Sequence, residues 1–374
     1  MTIKSDLTIN RKLYGLDHLR ALAITVVFFF HYFIVSGGQP QWLPDIARFG
    51  WIGVDLFFVL SGFLISSQLF LQIKQGQIIS FKVFFLKRFF RIIPIFFATV
   101  GLYFCFPLFR EKEALPPIWK FLTFTQNFGL NLKDFATFSH AWSLCVEEHF
   151  YFFLPIILIS LQKLNLFAKS YWLLLLLFVF GFAIRIYCFD HLYLPKIEDE
   201  NSWLYWYKYI YYPTYNRLDG LLVGVSIAGI YEFLPNLWGK MSKFGNQFIL
   251  LSLFVLTVAY FLCENQQDFN ASIFGFPLIA IGFGFMVIAA ISPTSFLYKW
   301  NSKFTTLIAT LSYAIYLTHK GVIHTTHQLL NDFKIESNLM LIICIITCIL
   351  VAYLLNLTIE KPFMKLRNKI IAHK

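Results

Sequence analysis

An arginine and a histidine stand within the first long apolar run of the sequence, at Arg20 and His31. Eleven residues make three helical turns plus about 20°, so both side chains are expected on one helix face, roughly 16 Å apart along the axis. Ionisable groups inside a membrane segment are costly and usually serve a function. An imidazole, whose ordinary pKa is about 6.5, suits a general base. We therefore predict one functional helix face that runs from the cytoplasmic side toward the outer leaflet, although for Arg20 taken alone snorkelling to the membrane surface is the stronger explanation.

Further ionisable residues stand near the presumed outer ends of other apolar runs. They are Asp55, Glu147, Glu148, Arg185, Arg217, Asp219 and His319. At a rise of about 1.5 Å per residue, they and His31 lie about 5–9 Å below those ends. For any one of them, snorkelling to water is an alternative. Together they predict a polar cavity in the outer leaflet, where carboxylates, arginines and histidines pair around His31.

A basic cluster precedes the third apolar run, where Lys87, Arg88 and Arg91 stand within KRFFRIIP. Arginines spaced three apart on a helical turn suit phosphate groups, although ordinary anchoring at the cytoplasmic surface explains them too. An aromatic run, SWLYWYKYIYYPTY, spans 202–215. It predicts either an interfacial aromatic belt or a platform for a sugar or lipid headgroup.

The elements that would position these residues are membrane helices. Hydrophobic residues form 58% of the 374-residue chain and charged residues 14%, against roughly 25% charged residues in soluble domains. Spans of roughly 20 apolar residues are long enough to cross a bilayer. We predict one all-α membrane domain over 1–374, and the six cysteines indicate neither a disulfide nor a metal site. The ten predicted spans are 16–35, 50–71, 92–109, 141–160, 171–189, 214–231, 247–263, 271–291, 304–323 and 338–358.

The distribution of basic residues predicts the orientation. With both termini cytoplasmic, 19 of the 31 Lys and Arg residues lie inside and 9 outside, and the other three lie deeper within spans. Cytoplasmic connections normally carry this excess. The net charge of +11 then reflects the positive cytoplasmic side and anionic lipid, and predicts no nucleic-acid partner. The sequence indicates no particular oligomeric state.

Seven segments resemble acyltransferase family 3, the OafA/YrhL-like membrane O-acyltransferases. In family order they are LDHLRALAITVVFFFHYF, GWIGVDLFFVLSGFLIS, KRFFRIIP, WSLCVEEHFYFFLP, YNRLDGLLVG, LSYAIYLTH and IEKPF, and together they span 16–363. The resemblance implies that Arg20 and His31 are the essential pair, that Arg88 and Arg91 form the cytoplasmic basic motif, and that Glu147 belongs to an acidic motif. It also places Tyr313, Tyr316 and His319 in a late-helix motif.

The same resemblance implies an acyl group, commonly acetyl, taken from cytoplasmic acyl-CoA without a bound cofactor. The implied acceptor is a hydroxyl of an extracytoplasmic or lipid-linked glycan, at a bacterial inner membrane. Many relatives carry an appended C-terminal hydrolase-like domain. Because this sequence ends shortly after its tenth predicted span, we expect a stand-alone form.

These residues support a mechanistic hypothesis. The basic cluster would hold the CoA phosphates, Arg20 would orient the donor, and pantetheine would thread along the Arg20–His31 face. His31 would act as general base, or carry the acyl group itself in two half-reactions. Glu147, or else Asp55, would orient the imidazole.

In the same hypothesis, Arg185 or Arg217 would steady the acceptor or neighbouring carboxylates. The alternative function is a transporter, which also needs charged residues around a wet cavity. The absence of an inverted sequence repeat and the position of the charges near one membrane face argue against it.

Overall fold

The computed structural model describes residues 13–112 and 114–372. In this part of the chain the regular structure is entirely helical, as predicted. Its longer helices are α1 (Tyr14–Val35), α2 (Gly53–Lys74), α3 (Phe81–Cys105), α4 (Trp142–Lys163), α5 (Ser170–Cys188), α6 (Asp219–Phe233), α7 (Gly245–Leu262), α8 (Phe276–Ile291), α9 (Lys303–Leu330), α10 (Ser337–Leu355) and α11 (Lys361–Ala372).

Several of these helices could cross a membrane. Among the described residues, seven helical stretches are long and apolar enough: Tyr14–Val35, Gly50–Lys74, Ser139–Lys163, Phe167–Lys196, Pro235–Leu262, Ala271–Ile291 and Ser337–Ala372. The chain is therefore a multi-span membrane protein. Each of the ten predicted segments overlaps one of α1–α10. Of the basic residues counted for orientation, Lys4, Arg11, Lys12 and Lys374 lie outside the described residues.

Helix α3 begins earlier than the predicted span 92–109. The Ser80 hydroxyl caps it by accepting a hydrogen bond from the backbone N–H of Val83 at 3.4 Å, a common way of starting a helix. The basic cluster consequently lies on the first turns of the same continuous helix that contains most of that span. This arrangement fixes the spacing of Arg88 and Arg91 on one side of α3.

Small residues bring the central helices together. A Cβ atom added to Gly62 of α2 would lie 2.2 Å from the carbonyl oxygen of Leu221 in α6, and one added to Gly224 would lie 2.3 Å from that of Val59. Close approach at small residues is typical of membrane helix pairs. By contrast, α5 and α7 present most of their side chains outward. The bundle thus has tightly packed central helices and lipid-facing outer ones.

The chain turns at the end of α10 into an amphipathic helix. A wide helical turn at Asn356–Glu360 joins α10 to α11, and the Asn356 amide donates to Glu360 at 2.8 Å. The ring of Phe363 contacts that of Phe90, with centroids 6.4 Å apart. Helix α11 therefore lies against the basic start of α3.

Candidate active site

A cavity of about 760 Å³ opens beside the start of α3; we call it the inner cavity. Its basic lining residues are Arg20, Lys87, Arg88, Arg91 and Arg367. They come from α1, α3 and α11. A concave site with this many cations suits a ligand with several phosphate groups. The structure thus brings Arg20 together with the predicted basic cluster.

Arg88 is held in place only in part. Its Nη2 lies 3.5 Å from the Gln68 side-chain oxygen, and its guanidinium lies over the Tyr151 ring at 5.6 Å. Its Nε is buried and has no hydrogen-bond acceptor among the described residues. A buried donor without a partner is costly. An anionic ligand in the inner cavity would supply that acceptor.

Glu147 lies in the inner cavity and not beside His31, where it was expected. Its carboxylate accepts hydrogen bonds from Ser61 Oγ at 2.8 Å and from the Tyr151 hydroxyl at 3.2 Å. Among the described lining residues it is the one acid of this cavity. Glu148 lines neither this cavity nor the next one. Glu147 therefore lies in the same cavity as Arg20 and not in that of His31.

A second cavity, of about 1330 Å³, contains His31; we call it the outer cavity. Its wall carries Trp51, Trp142, Trp203, Tyr207, Tyr211 and Tyr212, and its charged residues are Arg110, Glu111, Lys112, Lys133, Asp134 and Lys320. Part of the aromatic run 202–215 therefore faces this cavity. Flat aromatic faces bordered by polar groups suit the apolar faces and hydroxyls of sugar rings.

His31 meets two other histidines. His31 Nδ1 lies 2.9 Å from His319 Nε2. His319 Nδ1 in turn lies 2.8 Å from the carbonyl oxygen of Tyr316 and 3.0 Å from that of Ile315. The His140 ring packs 4.9 Å from the His319 ring and 5.7 Å from the His31 ring. The structure thus joins His31 with His319, as the predicted polar layer proposed, and adds His140.

Tyr316 separates the two cavities. It is the one residue that lines both of them among the described residues. Its hydroxyl donates a hydrogen bond to the carbonyl oxygen of His140 and accepts one from Ser143 Oγ, each 2.5 Å long. Tyr313, one turn earlier, lines the inner cavity and donates to the carbonyl oxygen of Ile92 at 3.2 Å. Arg20 and His31 therefore face different cavities that meet at Tyr316.

The remaining predicted residues form two buried ion pairs. Arg217 Nη2 lies 2.7 Å from Asp55 Oδ1, and Arg185 Nη1 lies 2.6 Å from Asp219 Oδ2. In the described part of the molecule, none of the four lines either cavity. The Arg217 guanidinium also lies 4.1 Å from the centre of the Phe276 ring. The structure thus separates these residues from His31 and uses them to join helices.

Four residues of this site were not predicted from the sequence. His140 directly precedes the predicted span 141–160, and Glu111 lies in a connection. Lys320 and Arg367 entered only the count of basic residues that predicts the membrane orientation. Lys320 Nζ contacts Glu111 Oε1 at 3.1 Å, and that oxygen lies 4.0 Å from His140 Nδ1. For Lys320, its place next to His319 was a signal. Nothing in the sequence indicated Glu111.

Comparisons with known proteins agree with the geometry. A family model described as an acyltransferase domain matches residues 13–357. A Staphylococcus aureus (strain COL) protein named as a candidate O-acetyltransferase is 29% identical over 94% of this chain and 57% of its own length.

Two further relatives carry related names. The peptidoglycan O-acetyltransferase OatA of Listeria monocytogenes is 29% identical over 84% of this chain and 50% of its own length. The O-acetyltransferase OatA of Staphylococcus aureus (strain NCTC 8325 / PS 47) is 27% identical over 95% and 58%. The chain thus spans about half the length of these relatives. No solved structure matches the chain.

Proposed function

The chain belongs to the acyltransferase 3 family, and we propose that it moves an acetyl group from acyl-CoA to a hydroxyl of an extracytoplasmic or lipid-linked glycan. One observation carries this proposal: a basic cavity with Arg20 and a separate, aromatic cavity with His31 meet at Tyr316. A donor with phosphates fits the first and a saccharide fits the second. Because the chain belongs to an enzyme family, we propose acyl transfer and not the alternative function of transport.

The proposed membrane arrangement has ten spans, α1–α10, with both termini cytoplasmic, in a bacterial inner membrane. The excess of basic residues in alternate connections supports it. The inner cavity then opens to the cytoplasm, where acyl-CoA is made, and α11 lies at the cytoplasmic surface. When fused after α11, a reporter that works only in the cytoplasm should be active, and one that works only in the periplasm should be inactive. Activity of the periplasmic reporter would overturn this orientation.

On the donor side, the proposal assigns the CoA phosphates to Lys87, Arg88, Arg91 and Arg367. Arg20 lies deeper on α1 and orients the acylated pantetheine arm. Glu147 accepts hydrogen bonds from Ser61 and Tyr151 and balances the positive charge of the arginines. The thioester then reaches Tyr316, from which the outer cavity begins.

The chemistry proposed at His31 is general-base catalysis. Its imidazole takes the proton of the acceptor hydroxyl as the acceptor oxygen attacks the thioester carbonyl carbon. A carbon–oxygen bond forms, the carbon–sulfur bond breaks, and the CoA thiolate leaves with the proton that His31 releases. A fixed hydroxyl beside a held thioester also contributes proximity.

The acceptor proposed for the outer cavity is a saccharide. Its aromatic wall supports stacking on sugar rings, and the name of the Listeria relative points to peptidoglycan as one such acceptor class. The cavity volume of about 1330 Å³ leaves room for more than a single small alcohol.

The proposal predicts loss of one acyl group from a surface glycan when the gene is deleted. Mass spectrometry of peptidoglycan, polysaccharide and lipid-linked saccharides should show one fraction lighter by an acetyl group. Purified protein in liposomes should also transfer radiolabelled acetyl from acetyl-CoA to that fraction. Unchanged masses in every fraction would overturn the glycan assignment.

The donor assignment has its own test in Arg91→Gln and Arg367→Gln. Each change removes a charge-assisted hydrogen bond of roughly 1.5–3 kcal/mol, so the KM for acetyl-CoA should rise about tenfold or more. The kcat should change little because the phosphates take no part in bond making. The matched control is Lys369→Gln, since Lys369 lies on α11 but outside the cavity lining. Equal effects at Lys369 and Arg367 would contradict a phosphate site.

A further inference from the structure

His319 lies between His31 and two backbone carbonyl oxygens, which can only accept hydrogen bonds. Its Nδ1 faces the carbonyl oxygens of Tyr316 and Ile315, and a carbonyl oxygen only accepts hydrogen bonds. Nδ1 therefore carries a hydrogen. In a neutral imidazole the other nitrogen is then an acceptor. His319 Nε2 consequently presents a lone pair to His31.

The position of the hydrogen on the His31 ring follows in the same way. Its Nδ1 lies 2.9 Å from His319 Nε2, so Nδ1 must carry the hydrogen of that bond. His31 Nε2 is then left without a hydrogen. From this chain of contacts we infer that His319 is a positioning residue that fixes His31 in the Nδ1–H tautomer, with its basic lone pair on Nε2.

The orientation of the His319 ring is rigid because both of its carbonyl acceptors belong to its own helix. Ile315 and Tyr316 precede His319 by one turn of the same helix, and the His319 side chain is fully buried. Turning its ring over would put a carbon against both carbonyl oxygens and lose both hydrogen bonds. The His140 ring packs edge-on against it, at 68°. The orientation of His319 is thus set before any substrate binds.

This inference rests on the proposed function, because a fixed basic nitrogen matters only if His31 accepts a proton. It also gives His319 the orienting role that the sequence-based hypothesis gave to Glu147 or else Asp55. A neutral imidazole orients His31 without burying a second charge beside it. The carbonyl oxygens of α9 replace the carboxylate that orients the histidine of a serine protease triad.

Two substitutions of similar shape separate the roles of His319. In His319→Gln the side-chain oxygen can take the place of Nε2 and still accept from His31, whereas the shorter side chain of His319→Asn reaches only the position of Nδ1. Loss of the correct tautomer should lower the kcat of His319→Asn and His319→Leu by about 100-fold or more. His319→Gln should stay within about tenfold of the unaltered protein, and the KM for acetyl-CoA should change in none of them.

Nitrogen NMR reads the tautomer without any turnover. In protein labelled with ¹⁵N-histidine, the His31 signals, assigned by their loss in His31→Gln, should show a protonated Nδ1 and an unprotonated Nε2. In His319→Leu they should become a mixture of both tautomers. A protonated Nε2 in the unaltered protein, or equal activity losses in the Gln and Asn variants, would overturn the role of His319. Absence of acyl transfer with the Nδ1–H tautomer intact would instead overturn the proposed function.

Discussion

Replacement of His31 by alanine is expected to lower the kcat of acyl transfer by about 10²–10⁴-fold, the usual contribution of a general base. The acceptor hydroxyl would then have to lose its proton to water in a confined site. The KM for acetyl-CoA should change little, because the proposed site for the donor phosphates is the inner cavity, away from His31. Initial rates in liposomes, with acetyl-CoA varied at a fixed concentration of acceptor, measure both quantities.

The matched control for this change is His191→Ala. His191 is exposed, stacks on Tyr187 and lines neither cavity among the described residues. It should leave the kcat unchanged. Thermal unfolding of both variants in detergent checks that they fold. Full activity of folded His31→Ala protein would exclude both general-base and acyl-histidine chemistry at this residue.

Replacement of Arg217 by leucine is expected to destabilise the fold rather than change the chemistry. It leaves Asp55, whose side chain is 2% exposed, as an uncompensated charge in the bundle. Removing one partner of a buried ion pair typically lowers the free energy of unfolding by about 3–5 kcal/mol. The midpoint of thermal unfolding, followed by size-exclusion chromatography of the heated protein, should fall clearly. The exposed Arg48 offers a control, and Arg48→Leu should leave the midpoint unchanged.

The double variant Asp55→Leu with Arg217→Leu distinguishes a structural pair from a substrate-binding arginine. With both charges removed, most of the lost stability should return, because two packed apolar side chains can replace a buried ion pair. A single Arg217→Leu variant that unfolds normally but has lost turnover would instead place Arg217 in the reaction.

Features that depend on a single helix could be read from the sequence. Arg20 and His31 both lie on α1, although they line separate cavities, and the spacing of Arg88 and Arg91 follows from the helical repeat. Contacts between helices were less predictable. Glu147 was placed beside His31 because both were counted at a similar depth, but depth along a helix does not determine its rotation or tilt. The partner that His31 has instead, His319, comes from a helix 288 residues away in sequence.

The residues at which helices begin were also hard to predict from the sequence. Ser80 starts α3 ahead of its apolar portion, so the basic cluster and most of the predicted span 92–109 lie on one continuous helix. His140 lies in the short turn that precedes α4, where no periodicity marks it. Asp55 and Arg217 were recognised as unusual, but only the packed bundle showed that they contact each other.

Among the described residues Tyr316 alone lines both cavities, which has a consequence for how this protein can diversify. The aromatic run 202–215 contributes no residue to the described lining of the inner cavity, and α11 contributes none to that of the outer cavity. Under the proposed function, mutations in the run would change the acceptor and mutations in α11 would change the donor. Selection could then alter one independently of the other, and cell surfaces could acquire new decorations while the supply of activated acyl groups stays the same.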